Sequence, residues 1–233
     1  MTASSKRPPA VLFDIDGTLV DSNYLHVHAW VRAFDEVGIP AESWRIHRAI
    51  GMDGQLLIKS LSGDAGEDDR RQAKELHSRY FKETSSLLRC LPGGREILRC
   101  VASRGLQVVL ATSAPRDELS ILRKVLDSDD VVSAVTSADD VEIAKPKPDI
   151  IRVALDRAGV TADRAVFVGD SVWDAQACAL AGVPSIGLLS GGISRYELET
   201  AGASVVFENP RDLTERIDST PIAALLGELL HGS

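Results

Sequence analysis

Two acidic residues follow a short apolar run near the start of the chain. Val11, Leu12 and Phe13 indicate a strand that is buried on both faces, and Asp14 and Asp16 come directly after it. Alternate residues of a strand point the same way, so both carboxylates can face one small space at the strand's carboxyl end. Their mutual repulsion must be offset by a cation, a shared proton, or both, and oxygen ligands favour Mg²⁺. An ordinary strand-to-turn junction is the alternative interpretation of this stretch.

Hydroxyl groups and a lysine stand beyond later predicted strands. Thr112 and Ser113 follow the apolar run 106–111, where hydroxyl and amide groups at a helix N-terminus can hold phosphate oxygens. A cap for the next helix is the commoner role of such residues. Lys145 is followed by two nearby prolines, which fix the backbone in a way that a solvated lysine would not need. A cis Lys145–Pro146 bond is a further hypothesis.

A second acidic pair lies near the end of another predicted strand. Asp170 follows the buried run 165–168, and Asp174 lies one helical turn further along. Ligands bind at the carboxyl edge of an open α/β sheet. The strand before Asp170 would place this residue at that edge. An acid at a helix N-terminus, favoured by the helix dipole, is the alternative for Asp174.

These stretches, taken in order, resemble the four motifs of the haloacid dehalogenase (HAD) superfamily in its phosphatase branch. The first motif corresponds to residues 14–22, the second to Thr112, the third to Lys145 and the fourth to residues 169–174. The resemblance covers about residues 8–210, and four ordered motifs make it specific. It implies a Mg²⁺-dependent phosphomonoester hydrolase that acts through an aspartyl-phosphate. Its substrate would be a small phosphorylated metabolite, such as phosphoglycolate or a sugar phosphate.

The resemblance also assigns roles to individual residues. Among the implied catalytic residues, Asp14 is the nucleophile and Asp16 the general acid/base, while Thr112 holds phosphoryl oxygens and Lys145 offsets their charge. The remaining implied contacts concern the metal and the substrate. Mg²⁺ is held by the carboxylates of Asp14 and Asp170 and by the backbone carbonyl of Asp16. Asp174 lies behind these ligands and binds a metal-bound water or Lys145. The substrate is held by Ser113, Gly17 and His26.

A histidine on the first predicted helix leaves a second activity open. His26 stands in a stretch similar to the opening of β-phosphoglucomutase-like members, where this histidine faces the active site. Two departures count against a phosphomutase: no arginine follows shortly after Gly51, and Gly169 stands where those mutases carry an acid. A catalytically silent binding protein is a third alternative, which the retention of every catalytic position disfavours.

Strands that alternate with helices predict a doubly wound parallel sheet, the Rossmann-like core that the resemblance also implies. Residues 22–88 show only helical patterns and predict a small all-helical unit, which corresponds to a C1 cap. We therefore expect a core domain formed by residues 8–21 and 89–233, and a cap domain formed by residues 22–88. Hinges near residues 21–23 and 88–92 would let the cap open and close.

Composition narrows the class of partner. A net charge of −8 argues against a nucleic-acid partner, and no apolar stretch is long enough to span a bilayer. The three cysteines have no metal-like spacing and indicate reduced thiols in a cytoplasmic protein. The first ten residues carry no apolar signal core and are expected to form a short flexible lead. We expect a monomer or a weak homodimer.

Overall fold

The computed structural model describes residues 7–140 and 145–231. Its strands, in chain order, are β1 (Ala10–Phe13), β2 (Val20–Asp21), β3 (Arg89–Cys90), β4 (Gln107–Ala111), β5 (Val132–Thr136), β6 (Ala165–Gly169), β7 (Ser185–Leu188) and β8 (Val205–Phe207). All except β2 and β3 belong to one parallel sheet with the order β5-β4-β1-β6-β7-β8. The predicted fold class is therefore confirmed.

Helices connect these strands and cover both faces of the sheet. In chain order they are α1 (Asn23–Glu36), α2 (Ser43–Ala49), α3 (Gly54–Leu61), α4 (Glu67–Glu83), α5 (Gly94–Ser103), α6 (Arg116–Leu126), α7 (Asp149–Ala158), α8 (Val172–Ala181), α9 (Arg195–Ala201), α10 (Pro210–Glu215) and α11 (Pro221–His231). In the described residues, no helix is both long and apolar enough to cross a membrane.

The alternation of side chains along the central strand divides the core into two layers. Val11 and Phe13 of β1 belong to the apolar cluster that includes α5, α6 and the start of α11. Ala10 and Leu12 point the other way and join the cluster formed with α7 and α8. Burial on both faces explains why β1 is apolar at all four positions.

The helices α1–α4 form a separate group that follows directly after β2 and ends just before β3. The strands β2 and β3 pair antiparallel, with Val20 opposite Cys90 and Asp21 opposite Arg89. This two-stranded ribbon lies at the two segments where hinges are predicted. The apolar core also continues into the helical group through buried side chains such as Trp30, Phe34 and Phe81. The helical group therefore packs against the sheet.

Several local predictions are wrong. Ala10 is a buried residue of β1 and not part of a flexible lead, while residues 1–6 of that lead lie outside the described residues. The helical pattern that opens at the charged run 67–71 predicts one helix through Leu88, but α4 ends at Glu83. There the Thr84 hydroxyl donates to backbone carbonyls of α4, and a short 3₁₀ segment follows. The strands β2 and β3 and the helices α9 and α10 are not anticipated, because segments of two to seven residues carry too little periodicity.

Candidate active site

The first motif extends β1 by one residue and then turns at a glycine. Asp14 continues the strand, and its amide donates to the carbonyl of Val168 over 2.9 Å. The chain then turns at Gly17, which has a φ of +71°. A Cβ on Gly17 would lie 2.3 Å from Asn23 Nδ2 and 2.4 Å from Asp170 Oδ2, so glycine permits both the turn and the close approach.

Lys145 joins an acid at the end of β1 to an acid in the first turn of α8. Its Nζ lies 2.6 Å from Asp14 Oδ1 and 2.6 Å from Asp174 Oδ1. All three residues are buried, with Lys145 only 1% exposed. The Lys145–Pro146 bond is cis, as hypothesised, and the neighbouring Lys147 is exposed. The ammonium group of Lys145 is therefore available to balance carboxylates and bound anions, but not to bulk water.

The fourth motif supplies two carboxylates with different environments. Asp174 closes a capping box at the start of α8, where its Oδ2 accepts hydrogen bonds from the amide and the hydroxyl of Ser171. Asp170 accepts hydrogen bonds from Thr18 Oγ1 at 2.7 Å and from Asn23 Nδ2 at 2.9 Å. Asn23 begins α1, so the helical group also contributes to this acid cluster.

Carboxylate oxygens from Asp14, Asp170 and Asp174 lie within 4.8 Å of one another. Burial raises the pKa of Asp14 well above its ordinary value, and the charges of Asp174 and Asp170 add to this effect against the opposing charge of Lys145. Burial and the charge of Asp174 raise the pKa of Asp170 to about 7. One lysine therefore does not balance three acids, and an all-oxygen cluster with excess negative charge fits a hard divalent cation such as Mg²⁺.

Asp16 lies apart from this cluster and contacts α1. Its Oδ1 accepts a hydrogen bond from Ser22 Oγ at 2.6 Å and lies 3.2 Å from His26 Nε2. Burial alone would raise the pKa of Asp16, but the charge and hydrogen bond of His26, together with Ser22, outweigh burial and lower it. The carboxylate of Asp16 is thus placed to exchange a proton beside Asp14.

A stack of rings behind Asp16 was not anticipated from the sequence. His26 Nδ1 lies 3.1 Å from His77 Nε2. The ring of Trp30 stacks on His77 with centroids 4.0 Å apart, and the ring of Phe81 stacks on His26 with centroids 3.9 Å apart. Burial would lower the pKa of His26, but the charge and hydrogen bond of Asp16 outweigh burial and raise it. For His77, burial and the charge of His26 act together and hold the pKa well below its ordinary value. His77 is therefore the neutral partner that accepts a hydrogen bond from His26.

The second motif provides hydroxyl groups at the end of β4. Thr112 is buried, and its Oγ1 accepts a hydrogen bond from the amide of Ala114 at 3.0 Å. Ala114 precedes α6, which has no side-chain cap, so Thr112 does not play the capping role considered as the alternative. Ser113 Oγ is buried without a hydrogen-bond partner among the described residues. A buried hydroxyl is rarely left unpaired, so Ser113 is well suited to a phosphate oxygen.

A cavity of about 170 Å³ lies between the sheet edge and the helical group. Asp14, Asp16 and Lys145 line its core side, and residues of α1, α3 and α4 line the opposite side. The segment that precedes α3 closes one end, because the amide of Asp53 donates to the carbonyl of Lys145 at 2.9 Å. His47 Nε2 lies 2.9 Å from the carbonyl of Gly191 and adds a further contact between the two parts.

Comparison with known proteins identifies the family of this arrangement. The family model described as haloacid dehalogenase-like hydrolase matches residues 8–182. The chain belongs to the haloacid dehalogenase-like hydrolases. A phosphoglycolate phosphatase from Rhodospirillum rubrum is 29% identical, over 92% of this chain and 97% of the relative.

Two solved structures show the same HAD fold. A hydrolase from Pseudomonas syringae is 37% identical, with a TM-score of 0.87 over 91% of this chain and 98% of the other. A Bacteroides vulgatus protein named as a candidate β-phosphoglucomutase is 24% identical, with a TM-score of 0.84 over 96% of this chain and 92% of the other. The predicted enzyme class, a HAD-type phosphatase, is confirmed.

The HAD motifs converge on one sheet edge, although the sequence placed them far apart. The structure brings together the acids of the first and fourth motifs, Lys145, and the hydroxyl residues of the second motif, and it places His26 against Asp16. Gly17 lies beside Asp170 and is not among the residues that line the cavity. Sequence reasoning missed Asn23, His77 and Glu118, since each reaches the site only through tertiary packing.

His77 makes the HAD fold sensitive to acid. Because its pKa lies well below the ordinary value of 6.5, the unfolded chain binds more protons than the folded state as the pH falls below 6.5. The stabilising contribution is therefore complete above that value and is lost at lower pH. We expect His77→Phe, which keeps an aromatic ring, to lose less unfolding free energy between pH 7 and pH 5 than the wild type.

Urea unfolding at each pH, in the presence of a chelator, measures this difference. His28→Gln is the matched control, because His28 is an exposed histidine of α1, and it should follow the wild type. His26, whose pKa is shifted the other way, is common to all three proteins. An unchanged pH dependence in His77→Phe would contradict the assignment of His77 as a buried neutral group.

Proposed function

We propose that this HAD hydrolase releases phosphate from small phosphomonoesters in a Mg²⁺-dependent reaction through an aspartyl-phosphate on Asp14. The observation that carries the proposal is the buried Asp14–Lys145–Asp174 arrangement beside Asp16 and the unpaired hydroxyl of Ser113. It offers a nucleophile, a proton donor and anion contacts around one cavity.

The reaction divides into two displacements at phosphorus. Asp14 Oδ forms a bond to phosphorus as the bond to the leaving oxygen breaks, and Asp16 passes to that oxygen the proton that it shares with His26, whose pKa is raised. A water molecule then attacks phosphorus, returns a proton to Asp16 and releases Asp14. Lys145 balances the charge of Asp14 and of the phosphoryl oxygens throughout, and Ser113 and Thr112 orient those oxygens.

The metal site is proposed on the same residues. Asp14, Asp170 and the backbone carbonyl of Asp16 would hold Mg²⁺, which would neutralise charge on the phosphoryl group when bound. Asp174 serves Lys145 rather than the cation directly in this arrangement, because its two oxygens engage Lys145 and Ser171.

The helical residues 22–88 are proposed to act as a cap over the core formed by residues 8–21 and 89–233. Closure would exclude water while Asp14 attacks, and opening would admit substrate. A cavity of about 170 Å³ suits a small leaving group, and we include phosphoglycolate and sugar phosphates in the proposed substrate class. A cytoplasmic location and a monomer or weak homodimer stay predictions.

A β-phosphoglucomutase-like activity is the second candidate, and the contact between His26 and Asp16 favours it. The cap region that would grip a second phosphate counts against it. Met52, Asp53 and Gly54 line the cavity there, with no arginine among the described lining residues. Hydrolysis is therefore the better supported outcome.

A panel of phosphomonoesters tests the proposed function. We expect phosphate release in Mg²⁺ and loss of activity in excess EDTA. Asp14→Asn, which is nearly isosteric, should lower release by at least about 10³-fold while the circular dichroism spectrum is retained. Full turnover in EDTA, or wild-type activity in folded Asp14→Asn, would overturn the proposal.

β-Glucose 1-phosphate separates the phosphatase from the mutase. We expect free phosphate from several small esters and no dependence on added glucose 1,6-bisphosphate, because the cap offers no strong grip for a second phosphate. Chromatography of the products with and without the bisphosphate provides the measurement. Rapid conversion to glucose 6-phosphate with little free phosphate would establish the mutase instead.

A further inference from the structure

One buried carboxylate of the cavity has no part in the proposed reaction. Glu118 lies in the first turn of α6 and is only 3% exposed, and it lines the cavity together with His77 and Ser78 of α4. It follows the second motif closely in sequence, so it belongs to the same wall as Ser113. Because Glu118 lines the cavity beside α4, we expect the leaving group of a phosphomonoester to extend toward it from the phosphate.

Helix capping does not explain Glu118. The first turn of α6 has no side-chain cap, and the amide of Glu118 itself donates a hydrogen bond to the carboxylate of the neighbouring Asp117. Asp117 by contrast forms an exposed ion pair with Lys82. Asp117 therefore forms a contact at the surface, whereas the next residue, Glu118, faces the cavity.

Charge balance within the protein does not explain Glu118 either. Burial raises its pKa, while the charge of His26 and a hydrogen bond from Ser78 lower it. No ion pair of Glu118 is found in the described part of the chain, and the nearby charge of His26 is already engaged by Asp16. A carboxylate has about four acceptor positions, so the neighbouring hydroxyl of Ser78 leaves capacity for a ligand.

The rest of the leaving-group end is mostly apolar. Trp30 and Leu57 are buried and line the cavity from the cap side. Lys74 also lines the cavity but is an exposed residue of α4. Glu118 is thus the buried polar group that meets the leaving group on the core side.

We propose that Glu118 determines substrate specificity by accepting a hydrogen bond from a hydroxyl or ammonium group on the leaving alcohol. This inference rests on the proposed phosphatase function and narrows its substrate class. Esters that bear a hydrogen-bond donor two or three bonds from the ester oxygen gain this contact. Esters that bear a carboxylate meet a like charge at Glu118 and have only the exposed Lys74 as a cation.

Four small esters test the specificity of the enzyme with Mg²⁺. Glycerol 1-phosphate carries hydroxyl donors, O-phosphoethanolamine carries an ammonium group, phosphoglycolate carries a carboxylate, and propyl phosphate carries none of these. We expect Glu118→Met to lower kcat/KM at least about tenfold for a donor ester, since a charge-assisted hydrogen bond is lost. Propyl phosphate should stay within about twofold.

Two further variants sharpen the result. Glu118→Gln keeps an acceptor oxygen but removes the charge. Relative to Glu118→Met, it should restore part of the kcat/KM for the hydroxyl ester and little of it for the ammonium ester. This difference distinguishes the two kinds of donor. Asp117→Asn is the matched control from the same helical turn and should follow the wild type with every ester. Circular dichroism confirms that each variant is folded.

The outcomes separate failure of the specificity from failure of the function. An equal loss for all four esters in Glu118→Met, or no change for any, would overturn the role of Glu118 alone. A wild-type preference for phosphoglycolate that Glu118→Met preserves would do the same. No phosphate release by the wild type from any ester would overturn the proposed function and the specificity with it.

Discussion

The buried ion pairs of Lys145 are the interaction on which the site depends. A lysine that is 1% exposed is tolerated only because Asp14 and Asp174 both lie 2.6 Å from its ammonium nitrogen. These pairs connect the end of β1 to the start of α8 through the segment that precedes α7. Loss of any partner leaves a buried charge unbalanced, so catalysis and local structure depend on the same contacts.

The parallel sheet explains why these groups meet. Strands β4, β1 and β6 are neighbours, and their carboxyl ends place the second, first and fourth motifs side by side. The helical group α1–α4 adds a second constraint, since the amide of Asp53 donates to the carbonyl of Lys145 and Asn23 donates to Asp170. Residues of this group therefore contact the acid cluster itself and not only the rim of the cavity.

The sequence predicted the sheet edge well and the cap side poorly. Asp14 and Asp170 were predictable because they follow buried strands, and Lys145 because two nearby prolines fix its backbone and its stretch resembles the third HAD motif. His77 and Glu118 were not, because a single histidine or glutamate on a helix is ordinary until the packing of α1, α4 and α6 is known. The weak signals were the helical spacing of Lys74, His77 and Ser78 and the position of Glu118 just after the second motif.

The central claim is that three buried acids share too little positive charge and therefore need a divalent cation. Thermal unfolding with Mg²⁺ and with EDTA, at equal ionic strength, tests it without any substrate. At about 100 times the dissociation constant, binding adds about 2.7 kcal/mol, which corresponds to a rise in Tm of roughly 5–10 °C for a chain of this length. The account predicts that rise in the wild type and little of it in Asp170→Asn, and an equal Tm in Mg²⁺ and EDTA for the wild type would contradict it.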